Sequence, residues 1–184
     1  CIAALRTEKG VIVGADRCVT HDEMYCEISR TKKIKKFDNM VVGFAGNFRD
    51  CCIFDGFVNP PEVHPGQNLY KYMIKQFVPS MKKVMDEHDV TSIDGSLHCT
   101  DATFLVAINK SIFRVFRDYS VIYGNEEYAS IGSGKSYALG SLYSTEGQEY
   151  FGMSSETRIR LALRAAEKFC PGVQGPFDIM TTNE

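Results

Sequence analysis

The chain has 184 residues, 44% of them apolar and 24% charged, with a formal net charge of −2 at pH 7. That length and composition suit one domain with a full hydrophobic core, and the near-balanced charge leaves no basic footprint for nucleic acid. With no apolar run long enough to span a membrane and no signal-peptide pattern, the chain is expected to be soluble and cytoplasmic, without nucleic-acid or membrane partners.

The opening segment CIAALRTEKGVIVGAD, residues 1–16, has two apolar runs that meet at Glu8, Lys9 and Gly10, a hairpin composition that begins at the first residue. A strand starting there fixes the amine of Cys1 in the fold beside its own thiol. Residues 31–46, TKKIKKFDNMVVGFAG, read as two more strands around Asp38 and Asn39. Residues 47–58 read as a helix, and the prolines of 59–67 mark a loop. In residues 68–88 the apolar side chains of Tyr70, Met73, Ile74, Phe77, Met81, Val84 and Met85 recur at helical spacing, with a kink expected at Pro79.

Residues 102–116 read as a hairpin around Asn109 and Lys110, residues 128–134 as a strand and residues 135–143 as the start of a helix. Ser154 or Ser155 caps a further helix with Ile159, Ala162, Leu163, Ala166 and Phe169 on one face, and residues 176–182 close the chain as a strand. Blocks of strands separated by paired helices predict two stacked sheets with helical outer layers.

The seven cysteines include no CxxC pair, so free thiols in a reducing compartment are expected. His21, His64, His88 and His98 do not fall at ligand spacing with them, apart from the neighbours His98 and Cys99, so no metal site is expected. The string GSGKS at 132–136 lacks the first glycine of a phosphate loop, since Ala129 stands there, and no cofactor is expected. Cys1 is the strongest chemical candidate. A nucleophile needs a base, and residue 1 carries its own in the α-amine. The plainer alternative is a residue left behind when an initiator Met is removed.

Three segments carry a family resemblance: GVIVGADRCVT (10–20), KKIKKFDNMVVGFAG (32–46) and YASIGSGKSYALGSLY (128–143). They resemble, in order, the second strand, the lysine-to-glycine segment and the Gly-Ser-Gly turn of HslV and proteasome β subunits, and the likeness runs from residue 1 to 170. The resemblance implies an α+β protein, a four-layer αββα sandwich of the N-terminal-nucleophile hydrolase class, with residues 1–184 as one domain. It implies self-association into stacked rings and degradation of polypeptides fed by an AAA+ ATPase unfoldase. The helix at 68–88 is the contact element expected for that assembly, from Tyr70, Tyr72, Met73 and Phe77.

By the same resemblance Lys33 sits beside the nucleophile, Asp16 pairs with that lysine, Gly43 gives the oxyanion N–H, and Ser133 hydrogen-bonds near the amine. The family usually has Thr where this chain has Cys1. Its supporting acidic residue and serine after the last long helix would fall near Cys170 and Val173, neither of which can take those roles. Two other readings keep the fold: an inactive ring subunit that scaffolds or gates, and a small-molecule amidase.

Overall fold

The computed structural model describes residues 1–21, 25–94 and 97–183. In chain order its first elements are β1 (Ile2–Arg6), β2 (Val11–Ala15), β3 (Cys18–His21), β4 (Tyr25–Ile28), β5 (Ile34–Phe37), β6 (Met40–Gly46) and α1 (Phe48–Phe57). A long helical stretch follows as α2 (Leu69–Tyr72), a π-helical turn (Met73–Phe77) and α3 (Val78–Glu87). Then come β7 (Thr91–Asp94), β8 (Leu97–Thr100), β9 (Ala102–Ile108), β10 (Ser111–Val115), β11 (Val121–Tyr123), β12 (Tyr128–Ile131), α4 (Lys135–Ser144), α5 (Ser155–Phe169) and β13 (Asp178–Thr181).

Local chemistry closes the first hairpin. The Thr7 hydroxyl donates to Gly10 O at 3.0 Å and accepts the Lys9 and Gly10 N–H groups at 3.2 and 3.1 Å, which fixes the register from Ile2 opposite Ala15 to Arg6 opposite Val11. β12 and β13 flank this pair to give a sheet in the order β12-β1-β2-β13, while β11-β10-β9-β6-β5 form the second sheet.

Strand alternation then sets the layers. Ile2 and Ala4 of β1 face the second sheet, where they pack with Ile34, Val41 and Leu105. Ala3 and Leu5, one residue out of phase, face α4 and α5 and meet Leu142, Ile159 and Leu163. On the other side Val42 and Phe44 of β6 pack under α1 and α3 with Phe54, Phe77 and Met81. The result is the expected αββα sandwich, with apolar layers on both sides of each sheet. Among the described residues no helix is long and apolar enough to cross a membrane.

Three details differ from the sequence-based expectations. Pro79 is taken up at the start of α3, after a π turn in which the Val78 N–H donates to Met73 O; the wider turn makes room for a ring that would clash in a plain α-helix. The added residue rotates the apolar face, so Tyr72, Met73, Phe77, Met81 and Met85 are buried while Tyr70 and Ile74 are each 45% exposed. On α5 the predicted face holds except at its last residue, where Phe169 emerges and lies 5.7 Å from the Tyr137 ring. Finally, seven free thiols were expected, but Cys18 and Cys26 are bonded. The β3–β4 register pairs Cys18 with Ile28 and Thr20 with Cys26, so the two cysteines are diagonal neighbours with Cα atoms 5.9 Å apart. Cys1, Cys51, Cys52, Cys99 and Cys170 remain free.

Candidate active site

Asp16 is the first residue past β2, and its N–H donates to the Cys1 carbonyl at 3.3 Å. Its carboxylate is fully buried, an arrangement that requires paired charge and hydrogen bonds. Both are present. Oδ1 is ion-paired with the Cys1 amine, Lys33 Nζ donates to Oδ1 and Oδ2 at 3.0 and 2.9 Å, and the Cys18 N–H reaches Oδ2 at 2.7 Å. Among the lysines of the KKIKK run, Lys33 is the one that reaches Asp16. Lys32 is half exposed and comes no nearer than 3.9 Å to Asp178, and Lys35 lies 3.4 Å from Asp55 on α1.

Cys1 is itself 3% exposed. Its Sγ lies 3.8 Å from the hydroxyl of Ser130, which donates to Ile2 O at 2.7 Å. Burial pushes the Cys1 amine below its ordinary pKa; Asp16 works against that shift and the Lys33 ammonium adds to it. An amine lowered in this way is neutral, and able to accept a proton, over more of the neutral pH range.

These groups open onto a groove of about 660 Å³ lined by Cys1, Thr20, Lys33, Gly46, Ser133 and Gly172. Gly43 is not at the groove. It pairs with Ile34 and Leu105 in the middle of the second sheet, and a Cβ there would stand 2.8 Å from Ile2 Cγ2, so its open side faces the inter-sheet core. The glycine of β6 that lines the groove is Gly46. The Phe44 N–H donates toward β5, to Lys33 O at 3.0 Å, and the Asn47 N–H donates toward β9, to Asp101 O at 2.9 Å. Alternation between them turns the Gly46 N–H to the Lys33 side, beyond the end of β5, and its φ of +133° is a conformation that only glycine adopts readily.

Ser133 lies on the groove wall with Gly172 against it, but among the described residues its hydroxyl makes no hydrogen bond to the Cys1 amine. Ser130 is the serine within hydrogen-bond range of the thiol. Period-two alternation in YASIGSG was the available signal, because Ala129 and Ile131 face the inter-sheet core and Ser130 must face the Cys1 side. The segment after α5 supplies backbone where the resemblance implies side-chain support. The Gln174 N–H is 3.5 Å from Asp16 Oδ2, and the Arg17 N–H donates to Gln174 O at 3.2 Å. The Arg17 guanidinium pairs with Asp178 at 2.7 and 2.6 Å and ties β13 to the same corner.

No protein-family model matches the chain. Among solved structures it is similar to Thiobacillus denitrificans BPH in complex with epoxomicin, at a TM-score of 0.78 and 19% identity over 100% of this chain and 99% of that one. Eukaryotic HslV from Trypanosoma brucei matches at a TM-score of 0.69 and 21% identity over 97% of each chain. Anbu, an ancestral β-subunit from Yersinia bercovieri, matches at 0.67 and 14% over 97% of this chain and 79% of that one. The chain therefore has the HslV-like fold that its sequence motifs resemble.

Proposed function

We propose that this chain hydrolyses peptide amide bonds with Cys1 as an N-terminal nucleophile, working in a ring of copies fed with polypeptide by a partner ATPase. One observation carries the reading: a buried amine, lowered by its surroundings, is held by Asp16, which is itself bound by Lys33, at the wall of an open groove. The neutral amine accepts the thiol proton as Sγ attacks the scissile carbonyl. The oxyanion of the tetrahedral intermediate is met by the Gly46 N–H, with the Lys33 ammonium nearby. The intermediate collapses to a thioester as the leaving amine takes the proton held by the α-amine. Water then attacks the thioester, releasing the carboxylate and restoring the thiol. Phe57 at 54% exposure and Tyr70 and Ile74 at 45% give the α1–α3 layer apolar surface that suits contact between copies.

A second reading is favoured by the direction of the side chain. Cys1 N and Lys33 Nζ both bond Asp16 Oδ1, whereas the thiol is turned to Ser130. If the mature protein carries a residue ahead of Cys1, that nitrogen is a peptide N–H donating to Asp16, and the preceding side chain takes the nucleophile's place with the rest of the site unchanged.

Fluorogenic peptides should be hydrolysed, and light scattering should report a mass several times 20.6 kDa at micromolar concentration. A monomer that cleaves only small amides would leave the amidase, and an assembled protein without turnover would leave the inactive scaffold. Epoxomicin, in complex with which BPH was solved, is the first ligand to try.

The glycine assignment has its own test. At Gly46 a Cβ would stand 2.2 Å from Asp101 O, so Gly46→Ala should cost about a hundredfold in kcat by turning the N–H away. At Gly43 a Cβ would strike Ile2 and Ile34, so Gly43→Ala should lower Tm while folded protein keeps its kcat. Turnover per folded molecule, with a melt of each variant, separates the two.

A further inference from the structure

Asp50 is a buried carboxylate that the proposed chemistry does not use. It lies in the first turn of α1 and is 3% exposed. At that position an acidic side chain ordinarily reaches back to the N–H of the cap residue, but here the Asn47 N–H is already given to Asp101 O at 2.9 Å. Asp50 reaches across instead. Its Oδ2 accepts the Thr100 hydroxyl at 2.5 Å and the Asp101 N–H at 2.8 Å. The Thr100 hydroxyl in turn accepts the Ala102 N–H at 3.2 Å, and the Thr100 N–H donates to Arg117 O at 2.9 Å. The chain at 100–102 is thus fixed on one side by α1 and on the other by Arg117, two residues past the end of β10.

That strap is the surface against which Gly46 is folded. The missing Cβ of Gly46 would lie 2.2 Å from Asp101 O and 2.8 Å from Ala102 Cα, so the two backbones are in contact and the strap's position sets how Gly46 can turn. We propose that Asp50 is a positioning residue: its buried carboxylate holds the Thr100–Asp101 strap against Gly46 and so aims the Gly46 N–H into the groove. The inference rests on the peptidase reading and assigns this carboxylate to alignment of the oxyanion donor. A displaced donor weakens an interaction made in the transition state and leaves ground-state binding alone, so its signature is a fall in kcat with KM unchanged.

Asp50→Ala should lower kcat at least tenfold with KM within twofold of wild type, and Asp50→Asn, which keeps one acceptor for the Asp101 N–H, should recover part of the loss. Thr100→Val removes a single hydroxyl and should show a smaller fall of the same kind, which keeps the test open if Asp50→Ala does not fold. The backbone amide resonance of Gly46 should shift in the same order across the variants, whether or not turnover is measured. Unchanged kcat in folded Asp50→Asn and Thr100→Val, or a rise in KM at constant kcat, would overturn the assignment. Absence of turnover in the wild-type protein would instead defeat the peptidase reading and leave the Gly46 resonance to decide: a shift supports the positioning role, and none refutes it.

Discussion

Lys33→Ala is expected to lower turnover by about a hundredfold or more and to move the acid limb of the pH–rate profile upward. The sign follows from what surrounds the amine. Burial lowers its pKa, Asp16 raises it, and the Lys33 ammonium lowers it. The amine works as a base only when neutral, so activity rises as pH increases through its pKa. Removing Lys33 takes away one of the lowering influences, and the rise then falls at higher pH. Lys32→Ala and Lys35→Ala remove ammonium groups that pair with Asp178 and Asp55, away from the amine, and should leave the profile near that of wild type. A profile of kcat/KM against pH for the three variants is the measurement. Equal small losses, or a limb that stays in place for Lys33→Ala, would remove Lys33 from the mechanism.

The parts of the fold legible in the sequence are those whose burial has one clear period. The β1–β2 hairpin, the β5–β6 and β9–β10 pairs and most of α5 each bury one face against a continuous core, and their alternation or 3.6-residue spacing is plain. The β3–β4 and β7–β8 ribbons are not legible in the sequence. Each is a two-stranded piece outside the main sheets, and among the described residues Cys18 and Cys99 are the apolar side chains they bury, too few to write a period into the sequence.

The site divides in the same way. Asp16 and Lys33 fall in the segments that carry the family resemblance, and it is the resemblance that places both near Cys1. Gly43 and Gly46 belong to one strand, and only their neighbours separate them: β6 has seven residues and β5 four, so Gly46 overhangs the end of its partner while Gly43 is covered on both sides. That difference is tertiary, and no spacing within residues 40–46 reveals it. The same holds for the segment after α5, where the backbone N–H of Gln174 reaches Asp16 in place of side chains at Cys170 and Val173.

Cys1→Ala is expected to abolish turnover with the fold retained, since deleting one sulfur atom from a core of this size costs about 1 kcal/mol. An uncleaved residue added before Cys1 should abolish it as well, because the amine becomes a peptide N–H that cannot accept a proton. The other groove thiol is a poor competitor. Cys51 is buried, and desolvation, with the Asp50 carboxylate nearby, pushes its pKa up to about 12, so it carries almost no thiolate at neutral pH. Cys52 is exposed and serves as the internal control for unselective reaction. The most direct test is mass spectrometry of the native protein, intact and digested, after reaction with an electrophilic peptide probe. A single label on Cys1 Sγ at the mature N-terminus, lost in Cys1→Ala, is the predicted result; a label on a residue ahead of Cys1, or labels spread over Cys51 and Cys52 with turnover surviving the extension, would contradict it.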